Sequence, residues 1–460
     1  MSEATQRRRD WWIEPLLAAS VAAGLLWALG YLLTNHYLPQ PFFYEAFDTW
    51  MDWFNPAYWA HQPGAYDSWG TIYPPLSFVF LKFATYSQCY TFSEQYTSRD
   101  CDWYGVATLH LLYLINIVLT AKVFLKIDRR TALPRAFALT AGLPMLFALE
   151  RGNLILLCYT CLLLAYGPLV KSAKWRWFFA GCAVNLKIYL VGTLFVQLVS
   201  RRWRQFEGAA LATVVVYLVT FAIIGTGTPS QVLDNMGAFA LSQEVPTILD
   251  LWYTMSYKPL IALMDGRASS IVNTVGSGPI ELWSVILPFT INGTIILIGL
   301  AAVAAAFRPT VTPLHRLIFL SIASAVITSE TGGYTQILIL LFVFMEPWRG
   351  FGRIFAIVVG YILCIPADVP LYWVPPVTRE SFLYGGPVTA QYAVGFGPFI
   401  RPGLVIALAI SLSLVTIRDV WKQLRLEGWR VRDFGRRAAT DPLLAAPGAA
   451  STRELGKERP

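Results

Sequence analysis

The sequence predicts an all-α polytopic membrane protein, and three observations predict it. Of 460 residues, 56% are hydrophobic and only 14% are charged, against about 25% charged in a soluble domain. Mean hydropathy is +0.51. Several apolar runs reach the roughly 20 residues that a helix needs to cross a bilayer. Such a chain cannot cover a water-facing surface. That excludes an ordinary cytosolic enzyme, a disordered chain and a disulfide-rich secreted module. The net charge is +8, but the basic residues gather at run ends and in the tail. There they set orientation and meet anionic lipid, so nucleic acid is not an expected partner.

Taken in order, residues 1–12 carry Arg7, Arg8 and Arg9 and are expected in the cytoplasm. The run 13–33 is too long for a signal-peptide core and lacks a cleavage site, so it is expected as a first span. Residues 34–103 form a large first outer loop, in which 74–84 is a helix lying on or in the outer leaflet. The run 104–126 returns to the basic cluster of Lys126, Arg129 and Arg130, which the positive-inside rule places in the cytoplasm. Runs 134–149 and 152–169 go out and back through a tight outer turn of Glu150, Arg151, Gly152 and Asn153.

The stretch 175–200 has basic residues at both ends, Lys174 and Arg176 before and Arg201, Arg202 and Arg204 after. Two inward ends on one stretch predict a hairpin of half-helices with its apex near Asn185, Lys187 and Tyr189. Broken backbone at that depth is tolerated only inside protein or along a cavity. Run 207–225 leads to a second outer loop, 227–280. Runs 281–306, 313–329, 334–346, 351–370 and 401–418 then alternate, with a third outer loop at 371–400. The tail 419–460 is expected to be cytoplasmic, basic and partly disordered. This gives ten full crossings plus the hairpin within a transmembrane domain spanning 13–418. No internal repeat is evident, which disfavours inverted-repeat transporters.

Cys158, Cys161, Cys182 and Cys364 lie in apolar runs and read as small core residues. Cys89 and Cys101 share the first outer loop and pair if it faces an oxidising compartment. His36, His61, His110 and His315 show no metal-ligand spacing. No protein-ligated metal and no cofactor are expected.

Ionisable residues at membrane depth are costly and are functional candidates by default. Here they fall on the outer side: Asp48, Asp52, Glu150, Arg151, Lys187, Glu330 and Arg401, with Tyr73, Asn153, Tyr189 and Tyr334 nearby. A carboxylate serves as general base on a hydroxyl. Arg grips a phosphate in two places, and Lys offers it a point charge. Aromatic faces stack on sugar rings. Taking a sugar from a lipid phosphate needs all three. Each residue also has a plainer reading: Arg151 as an ion-pair partner of Glu150, Lys187 as a snorkelling lysine, and Tyr73 as part of a helix start.

At these positions the sequence resembles the GT-C superfamily of multi-span glycosyltransferases that use lipid-phosphate sugars. The nearest resemblance is to glycosyltransferase family 87, which includes polyprenyl-phosphomannose-dependent α-1,2-mannosyltransferases. Phe47-Asp48-Thr49-Trp50 fits the early acidic motif, Tyr73-Pro74-Pro75-Leu76 the Tyr-Pro-Pro segment, and Arg151-Gly152-Asn153-Leu154 the Arg-Gly-Gln/Asn turn. Gly181 through Lys187 and Tyr189 fits the Gly-to-Lys-aromatic segment, although Leu190 replaces the family's usual Pro. The Gly332-Gly333-Tyr334 turn stands where many members carry a polar or His-containing turn, which leaves the family's late-span functional residue unassigned. The resemblance covers roughly 13–350.

It implies a GT-C-like bundle of about 10–12 helices and inverting transfer of a hexose, mannose first, from a polyprenyl-phosphate donor to a glycolipid or glycan. Asp48 would be the base, with Asp52 as a possible second acid. Lys187, Arg151 and Arg401 would hold the donor phosphate, and Tyr73, Asn153, Tyr189, Glu330 and Tyr334 would contact substrate. Membrane lipid surrounds the chain. A bacterial inner membrane, cytoplasmic termini and an extracytoplasmic site follow from the same resemblance. The alternatives are a transporter or flippase, and a polymerase or ligase, for lipid-linked saccharides.

Overall fold

A computed structural model describes residues 12–91, 94–225, 227–241, 254–265, 277–329 and 331–427. The chain is mostly helical. Helix α1 is Ile13–Asn35. The first outer loop carries α2 (Met51–His61), α3 (Pro75–Ala84) and α4 (Gln95–Cys101). Then come α5 (Trp103–Ile127), α6 (Ala132–Ala141), α7 (Leu143–Arg151) and α8 (Ile155–Tyr166). The expected broken hairpin is α9 (Ala173–Val184), a 3-10 turn at Ile188–Val191, and α10 (Gly192–Val199). Helices α11 (Trp203–Ile224), α12 (Gln231–Leu241), α13 (Lys258–Asp265) and α14 (Ser277–Phe307) follow. Last among the helices are α15 (Leu314–Thr328), α16 (Gln336–Val343), α17 (Phe351–Leu363) and α18 (Gly397–Glu427).

Among the described residues, six helices are long and apolar enough to cross a membrane: α1, α5, the α6–α7 pair, α11, α14 and α18. This makes the chain a membrane protein, but the ten full-length crossings expected from the sequence are not all present. Helix α8 has 12 residues, about 18 Å of rise against a hydrocarbon core of about 30 Å. Helices α15, α16 and α17 are also short. Their position explains the length. Ile337 through Phe344 are wholly buried, so these helices form the protein-lined centre, where chain breaks need not face lipid.

The loop between α17 and α18 departs locally from the mostly helical chain. Two antiparallel strand pairs nest there: β1 (Pro370–Trp373) with β4 (Ala393–Gly395), and β2 (Val377–Ser381) with β3 (Gly386–Ala390). In the inner pair Val377 faces Ala390, Arg379 faces Val388 and Ser381 faces Gly386. β-Branched residues and a turn glycine, Gly385 at φ +77°, suit a hairpin. The tail boundary also moves. Helix α18 continues to Glu427, because Asp419 is bound by Arg316 at 3.2 Å and by Arg353. Both arginines also meet buried Glu346. A second buried pair, Glu14 with Arg135 at 2.7 Å, joins α1 to α6. These pairs lie at the basic end of the bundle, and leaving any one charge alone there would be costly.

The strand layer docks on the first outer loop. Ser381 Oγ donates to the His36 carbonyl at 2.7 Å, and the Phe382 N–H donates to Ala46 at 3.2 Å. The Gln40 side chain bonds both backbone groups of Ala393. Cys89 and Cys101 form a disulfide. Beside it, Asp102 caps α5 through the Gly105 N–H and accepts from the Tyr90 hydroxyl, both at 2.7 Å. The disulfide closes a loop with a sequence separation of 12. Reduction, or Cys89→Ser, is expected to lower stability by about 3 kcal/mol. Denaturant unfolding in detergent with and without reductant reads this directly. The free cysteines Cys158, Cys161, Cys182 and Cys364 are buried, as core residues are expected to be.

Candidate active site

Two tight turns build the site. The first precedes α2, where Trp50 adopts φ +67° and its N–H donates to the Glu150 carbonyl at 2.8 Å. The second follows α7, where Gly152 also has φ +67°. A Cβ on Gly152 would come within 3.0 Å of the Trp50 backbone and of the Trp53 side chain, so only glycine lets the turns touch. Asp48, in the turn before α2, and Asp52, in its first turn, are thereby set against Arg151; they do not share a helix face, because Trp50 between them is left-handed.

Arg151 Nη2 donates to Asp48 Oδ2 at 2.7 Å and to Asp52 Oδ1 at 2.9 Å. Its Nη1 donates to the Asp48 carbonyl at 3.1 Å. The guanidinium also lies over the Phe43 ring, 4.1 Å from its centroid. Asn153 accepts the Ile155 N–H on Oδ1 at 3.0 Å, which turns its Nδ2 toward Asp52 Oδ2 at 2.8 Å. The two carboxylates are about one-fifth exposed (21% for Asp48 and 22% for Asp52), whereas the Arg151 side chain is 9% exposed. The acids are partly exposed, and the cation behind them is much less so.

Tyr96 donates to Asp48 Oδ1 at 3.1 Å. Partial burial and the Asp48 charge raise the Tyr96 pKa, so the phenol stays a proton donor at neutral pH. Arg99, fully buried, donates to the Phe47 and Thr49 carbonyls at 2.6 and 3.2 Å. Its guanidinium stacks 3.8 Å from the Phe382 centroid. It holds the turn bearing Asp48 against the strand layer. Sequence reasoning missed both Tyr96 and Arg99. They belong to no motif, and the only pointer was their place just before Cys101.

Lys187 lies at the break between α9 and the 3-10 turn, where backbone φ is −140°. Its ammonium sits over the Tyr73 ring, 5.5 Å from the centroid, and forms no ion pair among the described residues. Tyr73 and Lys187 are each within electrostatic reach of Asp52. Asn185 fixes the break by donating to the Gly181 and Thr213 carbonyls, both at 2.9 Å. Tyr189, two residues on, packs half-buried on the core.

The structure thus joins Asp48, Asp52, Arg151 and Asn153 by hydrogen bonds and sets Tyr73 and Lys187 beside them. It does not bring Arg401 or Tyr334 into that network. Arg401 donates to Asp368 Oδ2 at 3.2 Å and to the Ala367 carbonyl at 3.1 Å. Tyr334 lies 5.8 Å from Phe147, and Phe147 and Arg401 line a separate cavity with Gln336. Glu330 lies outside the described residues. The two arginines expected at a phosphate are therefore engaged by carboxylates: Arg151 by Asp48 and Asp52, and Arg401 by Asp368. Arg151 does not take Glu150 as its hydrogen-bonded partner, as the plainer reading had it. Among the described residues, no group of three or more His, Cys, Asp or Glu is placed to hold a metal ion.

Chemically, the arrangement offers two partly exposed carboxylates held in place by one guanidinium, and a lysine on an aromatic face at the helix break. Comparison of the chain with family models, curated proteins and solved structures finds no match.

Proposed function

We propose that the protein is an inverting glycosyltransferase that moves a hexose, mannose first, from a polyprenyl phosphate to a hydroxyl of a glycolipid or glycan outside the membrane. The observation that supports this reading is the pair of partly exposed acids held by Arg151 and Asn153, with Lys187 over the Tyr73 ring within electrostatic reach of Asp52. The resemblance to family 87 supplies the donor class and the bacterial inner membrane.

In the reaction, Asp48 takes the proton of the acceptor hydroxyl. The freed oxygen attacks the anomeric carbon from the face opposite the phosphate. The bond from that carbon to the phosphate oxygen breaks, and polyprenyl phosphate leaves with the electron pair. Tyr96 marks the place of the incoming hydroxyl, since its own O–H already points at Asp48 Oδ1. Being 38% exposed, it can swing aside. Asp52, bound on both oxygens, orients Asn153 and Arg151. Arg151 is a positioning residue here, and the phosphate charge falls to Lys187. Preorganised charge of this kind acts where negative charge develops.

The deciding assay offers the protein in lipid nanodiscs a panel of labelled polyprenyl-phosphate hexoses beside nucleotide sugars. Transfer from one lipid donor alone supports the reading, and no transfer and no donor hydrolysis across the panel sinks it. In the same assay, Lys187→Ala is expected to lower kcat by about 10²–10³-fold without changing the unfolding midpoint.

A further inference from the structure

The β1–β4 ribbon carries an apolar patch that water does not suit. Residues 369–377 read Val-Pro-Leu-Tyr-Trp-Val-Pro-Pro-Val, with no charged side chain. Every residue of β1 is exposed, and Leu371, Tyr372 and Trp373 are each more than half so. Val369, Phe396 and Ile400 extend the patch. A contiguous exposed patch of large apolar side chains marks an interaction surface.

Two helices fix its height. The cluster of Glu346, Arg316 and Asp419 marks one end of the bundle. Arg135 ties Glu14 of α1 to the same end, since it also donates to the Glu346 carbonyl. From Asp419 back to Gly397, α18 rises about 33 Å, which matches a hydrocarbon core of about 30 Å. From Glu14 to His36, α1 rises about as far. The strand layer is held at the far end of both. Ser381 meets the His36 carbonyl. The Phe396 N–H donates to the Val369 carbonyl at 2.9 Å. Asp368 Oδ1 accepts from the Val369 and Gly397 N–H groups, each at 2.8 Å, which sets the angle of the ribbon on α18.

The patch also continues a helix face. Ile400 and exposed Leu414 lie about 40° apart around α18, so the face that α18 offers to lipid leads up to Phe396 and Val369. Tyr and Trp concentrate where such a face meets headgroups. Strand β1 is paired on one edge only. Its backbone therefore belongs among headgroups and water, and only its side chains reach hydrocarbon.

We infer that β1 is a membrane anchor: Leu371, Tyr372 and Trp373 seat in the phospholipid interface at the strand-layer end of the bundle. The anchor bears on the acids as well. Phe382, just after β2, stacks on Arg99, and Arg99 holds the turn bearing Asp48. Lipid contact at β1 steadies that layer. The inference stands apart from the transferase reading.

The test places nitroxide labels on Leu371→Cys, Trp373→Cys, Leu414→Cys and Glu380→Cys, each in the full-length protein in phospholipid nanodiscs. The native free cysteines are buried, and unsubstituted protein gives the labelling background. Power-saturation EPR compares collisions with oxygen, which concentrates in lipid, and with a water-soluble nickel chelate. Labels at 371 and 373 are expected to favour oxygen, as at 414, while the label at 380 favours nickel. Nickel access at 371 and 373 equal to that at 380 overturns the anchor. Loss of both kinds of collision with spin–spin broadening also overturns it, because a second copy then covers the strand. Unsubstituted protein with a phospholipid carrying a diazirine near its glycerol decides the matter if the variants do not fold. Crosslinked peptides within 369–377 are expected, and crosslinks confined to the helices sink the proposal.

Discussion

Asp48→Asn is expected to lower kcat by about 10²–10⁴-fold while the protein stays folded and still binds donor. The amide keeps the shape of the carboxylate: its oxygen can still accept from Arg151 in place of Oδ2, while its NH2 takes the place of Oδ1 and can donate to the Tyr96 oxygen. It cannot take a proton at neutral pH. Asp52→Asn separates the two acids. Asp52 has both oxygens bound, one by Arg151 at 2.9 Å and one by Asn153 at 2.8 Å. Asp48 gives one oxygen to Arg151 and the other to the mobile Tyr96 hydroxyl. Asp52→Asn is therefore expected to cost less in kcat than Asp48→Asn. Single-turnover transfer with both variants measures this, and the reverse order would move the base to Asp52.

Arg151→Met is expected to lower stability by about 3 kcal/mol and activity with it. That is the low end of the range for breaking a buried pair, because the carboxylates keep about one-fifth of their exposure to water. The loss arises because two carboxylates that share one guanidinium are left without their cation. Activity should fall with stability, since neither acid keeps its orientation. The double variant Arg151→Met with Asp52→Asn relieves the repulsion and should recover part of the stability. The measured coupling between the two changes isolates the interaction. If the double variant loses as much as the sum of the singles, the three side chains do not act as a unit.

Much of this site was legible in the chain because its residues lie in short segments with their own local rules. Asp48 and Asp52 share a helix start, Gly152 and Asn153 form a turn, and the basic residues flanking 175–200 predicted the break at Lys187. What could not be read was the pairing across segments. Arg151 looked like a phosphate ligand because its partners are 99 and 103 residues away. Arg401 was misjudged for the same reason, since Asp368 lies 33 residues earlier. The crossing count was also misleading. Hydropathy measures apolar content, and the short central helices are apolar because protein surrounds them. The strands at 370–395 escaped notice because a short hairpin carries a far weaker pattern than a membrane helix.

The docking of the strand layer on the first outer loop has a consequence for biosynthesis. Tyr37 binds the Gln391 backbone across 354 positions of sequence, and Gln40 binds Ala393 across 353. The ribosome delivers these partners at opposite ends of translation. The contacts that Ser381 and Phe382 make with the loop bearing Asp48 form only once 370–395 has been made. Until then, Asp48 sits on an unfinished rim. Measured turnover would thus double as a proof of completed folding: a chain halted before β1 would carry Asp48, Asp52 and Arg151 without the strand layer that docks beside them.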